Sequence, residues 1–216
     1  NDPQAAVNLL QAIPMGQSRS HLYGNIANAW AETDLEGATA WVKSLPSGPI
    51  QRDAARNLMY RLANDNPQAA VEYALSFSSP AVRNELIGNA ASQWANQDLA
   101  GAIAWVRELP EGKAKENALN NMSYTWAQND PKGLADYALG LKSKDVQRQL
   151  IGNATRQWAE TDPRAAVAWA GTLADDELRH NAYSSLVSGW AQSSPQDAAN
   201  FVATLPPGPA QDRAAQ

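Results

Sequence analysis

The stretch WAETDPRAAVAW, residues 158–169, sets two tryptophans on either side of an Asp-Pro pair, and the arrangement returns along the chain. Five tryptophans are separated by 64, 32, 32 and 32 residues: Trp30, Trp94, Trp126, Trp158 and Trp190. Leu62 fills the missing step, so the period is 32 residues without an insertion. The other three tryptophans share a second position of the same frame: Trp41, Trp105 and Trp169. A period of this length predicts a stacked array of one repeated helical unit.

In this frame the chain is expected to form a single α-solenoid domain over residues 1–216. Its repeats are residues 1–32, 33–64, 65–96, 97–128, 129–160, 161–192 and, in part, 193–216. Two helices per repeat predict an all-α, right-handed αα-hairpin solenoid of about 13 helices. A period of 64 residues is superimposed, because LYGNIA, LIGNAA and LIGNAT begin at residues 22, 86 and 150. The expected structural unit is therefore a pair of hairpins.

The Asp-Pro pair predicts the start of the first helix in each repeat. The second position of the seven copies is Asp2, Asp34, Asn66, Asp98, Asp130, Asp162 and Ser194. These side chains accept hydrogen bonds from the free amides of a helix N-terminus, and proline suits the first helical position. Apolar residues then recur with helical spacing, and a proline stops the helix in four copies: Pro14, Pro46, Pro110 and Pro206.

The second helix is predicted from about position 18 to position 32 of each repeat. Its apolar residues are spaced by four, as in Val146, Leu150, Ala154 and Trp158. We expect both tryptophan positions to act as large apolar plugs between successive hairpins. Three glycines lie in the middle of this helix: Gly24, Gly88 and Gly152. Because a glycine inside a helix costs about 1 kcal/mol relative to alanine, we expect these glycines to mark close helix contacts.

Composition excludes several classes of function. A net charge of −5 and a pI near 5.0 argue against nucleic-acid binding, because lysine and arginine supply the affinity for phosphate. No apolar run approaches the roughly 20 residues that span a bilayer, so no membrane insertion is expected. The lack of cysteine excludes disulfides and thiolate chemistry. The chain begins at Asn1, which suggests a soluble processed or excised piece and leaves its compartment open, export and the periplasm included.

These motifs carry two resemblances. The hairpin repeat resembles the tetratricopeptide-like superfamily of α-solenoids, although the 32-residue period and the Trp-Ala-x-x-Asp-Pro signature depart from that pattern. The whole chain is also similar to uncharacterised bacterial proteins built from tandem WAxxDPxxAxxWxxxLP units. Both resemblances imply a scaffold for protein interactions and carry over no catalytic residue.

The most unusual position of the repeat is 25, which holds asparagine in five copies although asparagine is a mediocre helix residue. With positions 21 and 28 it forms a polar line on each second helix, called here the asparagine stripe. Its members, copy by copy, are His21, Asn25, Asn28; Asp53, Asn57, Tyr60; Glu85, Asn89, Ser92; Asn117, Asn121, Tyr124; Gln149, Asn153, Arg156; and Asn181, Ser185, Ser188.

Two interpretations of the asparagine stripe compete. In the first, the regularly spaced amides bind the backbone of an extended peptide and their neighbours select its side chains, by analogy with armadillo-repeat proteins. The candidate peptide-binding residues are Asn25, Asn57, Tyr60, Asn89, Asn121, Tyr124, Asn153 and Arg156. In the second, each asparagine bonds a loop carbonyl or the adjacent repeat and fixes the stacking register.

No other cluster of residues predicts chemistry. His21 and His180 lie five repeats apart, and the acidic residues 175–177 are better explained as the start of a helix than as a calcium site. No catalytic residue, cofactor or metal is therefore predicted. The leading hypothesis is a non-catalytic scaffold that binds a protein or an extended peptide. The alternatives are a self-assembling segment that associates end to end as part of a filament or oligomer, and an enzyme on an α/α scaffold.

Overall fold

The computed structural model describes residues 17–205, together with Val7 and Gln211, and it describes the side chains of all of these except residues 17–20. Within residues 17–205 the chain is all-helical and has no strand. Its helices are α1 (Gln17–Ala31), α2 (Leu35–Ser44), α3 (Pro49–Asp65), α4 (Pro67–Leu75), α5 (Pro80–Gln97), α6 (Leu99–Glu108), α7 (Lys113–Asn129), α8 (Pro131–Leu139), α9 (Lys144–Thr161), α10 (Pro163–Gly171), α11 (Asp176–Ser193) and α12 (Pro195–Thr204). The predicted all-α class is confirmed. Of the helix predicted near residues 2–14 only Val7 is described, and it is helical; the stops at Pro14 and Pro206 lie outside the described residues.

Long and short helices alternate along the chain. Helices α1, α3, α5, α7, α9 and α11 have 15 to 18 residues, and the helices between them have 9 or 10. From α3 onward, a single residue joins each long helix to the next short one, as Asn66 joins α3 to α4. Such a corner leaves no room for a loop, so the short helix begins directly after the capping residue.

The chain divides into two compact units, residues 1–118 and 119–216. In the first unit the long helix α3 packs against both α1 and α5, while α2 and α4 each contact the long helices before and after them. In the second unit α9 packs against α11, and α10 contacts both of these helices. Long helices therefore pack on long helices within each unit, and the short ones brace neighbouring pairs.

The predicted N-caps are confirmed at five corners. The cap pairs are Asp34 with the Gly37 amide at 2.8 Å, Asn66 with Ala69 at 3.1 Å, Asp98 with Gly101 at 3.0 Å, Asp130 with Gly133 at 2.8 Å, and Asp162 with Ala165 at 3.0 Å. The acidic run before α11 also acts as a cap, because Asp175 accepts from the Leu178 amide at 3.1 Å. The prediction is wrong at Ser194, whose side chain makes no capping hydrogen bond although Pro195 starts α12 there.

A second device closes the C-terminal ends of the short helices. One side chain near the start of each following helix donates to main-chain carbonyls at or just beyond these ends: Gln51, Arg83, Lys115, Gln147 and Arg179. Gln211 donates in the same way to the Val202 carbonyl of α12. The last carbonyls of a helix have no partner within the helix, so these bonds replace water. This device is not among the features predicted from the sequence. The sequence feature that could have predicted it is a side chain with an N–H donor at position 19 of every repeat.

The apolar plugs expected at the tryptophans are seen on the long helices, whereas Trp41, Trp105 and Trp169 of the second position are only half-buried. Each long-helix tryptophan of the described part lies against the ring eleven residues later: Trp30–Trp41 at 5.7 Å between ring centroids, Trp94–Trp105 at 5.7 Å, Trp126–Tyr137 at 5.2 Å, Trp158–Trp169 at 6.2 Å and Trp190–Phe201 at 5.9 Å. Trp94, Trp126 and Trp158 are buried, whereas Trp30 and Trp190 are half-buried. These ring pairs fasten each long helix to the short helix that follows it.

Candidate functional site

The mid-helix glycines are contact points between neighbouring long helices. A Cβ atom built on Gly24 of α1 would lie 2.2 Å from Nδ2 of Asn57 on α3. A Cβ atom built on Gly152 of α9 would lie 3.0 Å from Oγ of Ser185 on α11. In both pairs a residue at position 25 of one repeat sits against the glycine of the repeat before it. The close contacts expected at Gly24 and Gly152 are confirmed.

The asparagines of the stripe do not share one environment. Nδ2 of Asn57 donates to the Asp53 carbonyl of its own helix at 3.0 Å, and Nδ2 of Asn153 donates to Oγ of Ser123 on α7 at 3.1 Å. Asn25 is exposed and Asn89 is half-buried, and neither amide has a hydrogen bond to another described residue. Bonding to a neighbouring helix is therefore seen at Asn153, and the structural interpretation does not extend to every copy.

Three other residues predicted for peptide binding lie on the surface. The side chains of Tyr60 on α3 and Tyr124 on α7 are 42% and 65% exposed, unusually high for tyrosine rings, and Arg156 on α9 is exposed as well. Asn121 is also exposed on α7, one turn before Tyr124. The stripe thus carries accessible aromatic surface next to its amides.

Five stripe residues from two repeats come together in one groove of the second unit. The groove lies between α9 and α11 and has a volume of about 460 Å³. It is lined by Arg148, Gln149, Gly152, Asn153, Arg156, Glu177, Asn181 and Ser185. Of the predicted peptide-binding residues, Asn153 and Arg156 meet here, whereas the others lie on α1, α3, α5 and α7.

Two glycines shape the groove from opposite helices. A Cβ atom built on Gly152 of α9 would also lie 3.6 Å from Oδ1 of Asn181 on α11, so this glycine faces both Asn181 and Ser185. On α11, a Cβ atom built on Gly189 would lie 2.2 Å from the carbonyl oxygen of Arg156 and 3.0 Å from its Cγ atom. The main chain of α9 and the aliphatic stem of Arg156 therefore rest directly on α11. Gly189 is not among the residues singled out from the sequence, and its signal is a glycine in the middle of the sixth long helix.

The two arginines of the groove differ in their partners. Arg148 is held by two carboxylates: its guanidinium donates to Asp145 and, at 2.8 Å, to Oε1 of Glu177. The hydrogen bonds to Asp145 and Glu177, together with their charges, raise the pKa of Arg148. The side chain of Arg156 makes no hydrogen bond or ion pair with any described residue. One guanidinium of the groove is therefore neutralised and the other is uncommitted.

The groove also contains an acceptor without a donor. Oδ1 of Asn181 is buried and has no hydrogen-bond partner in the described part of the chain. A buried polar atom in this condition costs about 1–3 kcal/mol. A ligand that brings an N–H into the groove can offset this cost once the amide of Asn181 turns toward it.

A second concavity, of about 300 Å³, lies in the first unit between α2 and α4 and is lined by Leu35, Leu62 and Tyr73 among others. The Tyr73 hydroxyl is buried without a hydrogen-bond partner among the described residues, and burial raises the pKa of this phenol. None of the predicted site residues lines this concavity. It is therefore lined mainly by short helices and shares no residue with the asparagine stripe.

An ionised carboxylate outside the groove joins two short helices. Oδ1 of Asp136 on α8 accepts from Nε1 of Trp169 on α10 at 2.8 Å, and its Oδ2 accepts from Nζ of Lys132 at 2.5 Å. Partial burial acts to raise the pKa of Asp136, but the hydrogen bonds from Lys132 and Trp169 and the charge of Lys132 hold it below its ordinary value. The carboxylate thus tethers α8 to α10 in its charged form.

The residues that the structure describes contain no group of three or more His, Cys, Asp or Glu side chains able to hold a metal ion. In the same part of the chain, none of the helices has the length and apolar character needed to cross a membrane. A scan against protein-family models found no match for the chain, and searches of curated proteins and of solved structures found none either.

Proposed function

We propose that this protein is a non-catalytic repeat scaffold that binds an extended peptide along the asparagine stripe. The proposal includes a right-handed αα-hairpin solenoid of 32-residue repeats as the architecture that sets the stripe in a line. The observation that carries it is the groove between α9 and α11, whose lining contains five stripe residues from two neighbouring repeats.

The groove has the chemistry that a peptide backbone requires. An extended peptide presents alternating N–H and C=O groups that must keep hydrogen-bond partners when water is displaced. The amides of Gln149, Asn153 and Asn181 can each donate and accept, and the hydroxyl of Ser185 can do the same. The volume of about 460 Å³ falls in the range typical of ligand pockets. A short stretch of peptide therefore fits both the size and the polarity of the groove.

Each unit also carries one exposed stripe tyrosine, Tyr60 in the first and Tyr124 in the second. Tyrosine is enriched among the residues that dominate binding energy, because its ring buries a large apolar area while its hydroxyl stays hydrogen-bonded. Tyr60 and Tyr124 occupy position 28 of repeats two and four, the position that Arg156 holds in repeat five. Within the second unit we expect Tyr124 and Arg156 to contact side chains of the bound peptide and the asparagines to contact its backbone.

The test is selection of a phage-displayed library of random eight-residue peptides on the immobilised protein, followed by affinity measurement for the enriched peptides. Tyr124→Ala is expected to weaken binding about tenfold, as for a tyrosine that contributes strongly to an interface, and to leave thermal stability unchanged because the ring is exposed. Leu139→Ala is the matched control, since Leu139 is 42% exposed on the short helix α8, away from the stripe. Failure to enrich any peptide, or equal losses in both variants, contradicts the proposal.

The architecture has its own test, deletion of one 64-residue pair of hairpins, residues 65–128. In a solenoid each repeat contacts only its neighbours, so the shortened chain is expected to keep its helical circular dichroism and a cooperative unfolding transition. Loss of cooperative unfolding shows instead that the deleted residues belong to one shared core, and this result contradicts the solenoid.

A further inference from the structure

We propose that the groove between α9 and α11 selects an acidic side chain, Asp or Glu, in the bound peptide, and that Arg156 is the residue that determines this specificity. The inference rests on the proposed function and names the chemical class of its ligand. The partner is an extended peptide with a carboxylate at one defined position.

Arg156 is the uncommitted cation of the groove. The guanidinium of Arg148 already faces Asp145 and Glu177, whereas Arg156 has no acidic partner among the described residues. A guanidinium presents a planar fork of N–H donors that matches the two oxygens of a carboxylate. An exposed fork beside a groove is therefore a ready receptor for one acidic side chain.

The stem of Arg156 is held in position. The carbonyl oxygen and Cγ of Arg156 occupy the space beside Gly189 on α11. They lie 2.2 Å and 3.0 Å from the position that a Cβ atom on Gly189 would take. This packing limits the freedom of the side chain before a ligand arrives. Less rotamer entropy is then lost on binding than for a freely moving surface arginine.

The charge of the lining favours an acidic ligand. The groove contains two guanidinium groups and a single carboxylate, that of Glu177, although the chain as a whole carries a net charge of −5. The remaining polar groups of the lining are neutral amides and one hydroxyl. Because Asp145 and Glu177 already neutralise Arg148, the charge left for a ligand is that of Arg156, which attracts an acidic side chain and not a basic one.

The lining also imposes an orientation on the peptide. Asn181 offers an acceptor that lacks a donor, and Asn153 is bonded to Ser123 through Nδ2, which leaves its Oδ1 available for a peptide N–H. These amides bind the backbone of the peptide, and Arg156 binds its acidic side chain. A bound peptide thus has one fixed position for the acidic residue relative to the backbone contacts.

The experiment extends the eight-residue library to three variants. On the wild-type protein the enriched peptides are expected to share Asp or Glu at one position. Arg156→Gln, which keeps the stem over Gly189, is expected to lose this preference and to bind an enriched acidic peptide roughly ten- to a hundredfold more weakly, as for a lost charge-assisted hydrogen bond. Arg156→Glu is expected to enrich Lys or Arg at the same position. Arg164→Gln, an exposed arginine of α10 outside the groove, is expected to behave as wild type.

The outcomes separate the two proposals. Enriched peptides without an acidic consensus overturn the role of Arg156 and leave peptide binding standing. An acidic consensus that persists in Arg156→Gln overturns it as well, because the carboxylate is then recognised elsewhere. If no peptide is enriched on the wild-type protein, the proposed function fails, and the specificity proposal fails with it. Equal melting temperatures of the four proteins show that the variants remain folded.

Discussion

The close contact between Gly24 and Asn57 predicts that the effect of Gly24→Ala on stability changes sign when Asn57 is replaced by alanine. In Gly24→Ala the new methyl group would lie 2.2 Å from Nδ2 and 3.2 Å from Cγ of Asn57. Real contacts of Cβ atoms are essentially never shorter than 3.0 Å, so the amide of Asn57 must turn away. This rotation breaks its hydrogen bond to the carbonyl of Asp53, which is 3.0 Å long.

The magnitude follows from three contributions. The broken hydrogen bond costs about 0.5–1.5 kcal/mol, and an unfavourable rotamer costs a similar amount. Replacing glycine by alanine inside a helix gains about 1 kcal/mol. We therefore expect Gly24→Ala to lower the free energy of unfolding by about 1 kcal/mol in the wild-type background. The Asn57→Ala variant lacks the obstructing amide. In that background Gly24→Ala is expected to raise the free energy of unfolding by about 1 kcal/mol. The two residues are therefore expected to have a coupling energy of about 2 kcal/mol.

The assay is urea unfolding of the wild type, the two single variants and the double variant, analysed as a double-mutant cycle. Gly171→Ala at the end of α10 serves as a reference for a site without a clash, since the added atom would lie at an ordinary contact distance of 3.4 Å from the hydroxyl of Tyr183. Effects that add within about 0.5 kcal/mol would show that Asn57 does not fill the space beside Gly24. Position 25 would then not be a packing position in this copy of the repeat.

Three further predictions concern the second unit. In Gly189→Ala the obstacle is the main-chain oxygen of Arg156, which cannot rotate away, so we expect a loss of about 1–2 kcal/mol in urea unfolding together with weaker peptide binding. Unchanged stability would refute the close approach of α9 and α11. The pKa of Asp136 lies below its ordinary value of 3.8 in the folded chain, so its stabilising effect is present above that pH and lost as the pH falls through the lower value. The melting temperatures of the wild type and Asp136→Asn are therefore expected to converge as the pH falls below this ordinary value, and a constant difference would contradict the tether. Gln147→Met removes the bonds from a buried side chain to the carbonyls that end α8, and we expect a loss of about 1–3 kcal/mol by calorimetry. A neutral result would mean that water replaces the amide.

The sequence predicts the helices and their starts because these depend on local chemistry. Asp130 and Pro131 specify a helix N-terminus through one side-chain acceptor and one fixed dihedral angle, and the structure agrees. The close contacts at Gly24 and Gly152 are predictable for a related reason, since a glycine in the middle of a helix needs compensation. Ser194 shows the limit of local chemistry, because its hydroxyl is able to cap a helix and yet makes no such bond.

The groove could be predicted only in part. The period identifies the stripe residues that line the groove. The pairing of Arg148 with Glu177, however, joins residues 29 positions apart on two helices, and this offset depends on how the helices cross. Arg156 cannot be recognised as unpaired until its neighbours are placed. The donors at position 19 were visible in the sequence as Gln51 and Gln147, but their role depends on how closely the preceding short helix approaches. Helix ends and mid-helix glycines can thus be predicted from the sequence, whereas side-chain contacts between helices can be identified only once the fold is known.

The most direct test of the central claim, that the asparagine stripe binds peptide, is a nuclear magnetic resonance titration with the most strongly enriched peptide. The side-chain amide signals of Asn153 and Asn181 and the Nε signal of Arg156 report on the groove itself. The amide of Asn129, which bonds the Thr125 carbonyl at 2.8 Å at the end of α7, is the internal reference. We predict saturable shifts of the groove signals while the signal of Asn129 stays in place. Binding of the peptide without movement of Asn153, Asn181 or Arg156 would contradict the claim.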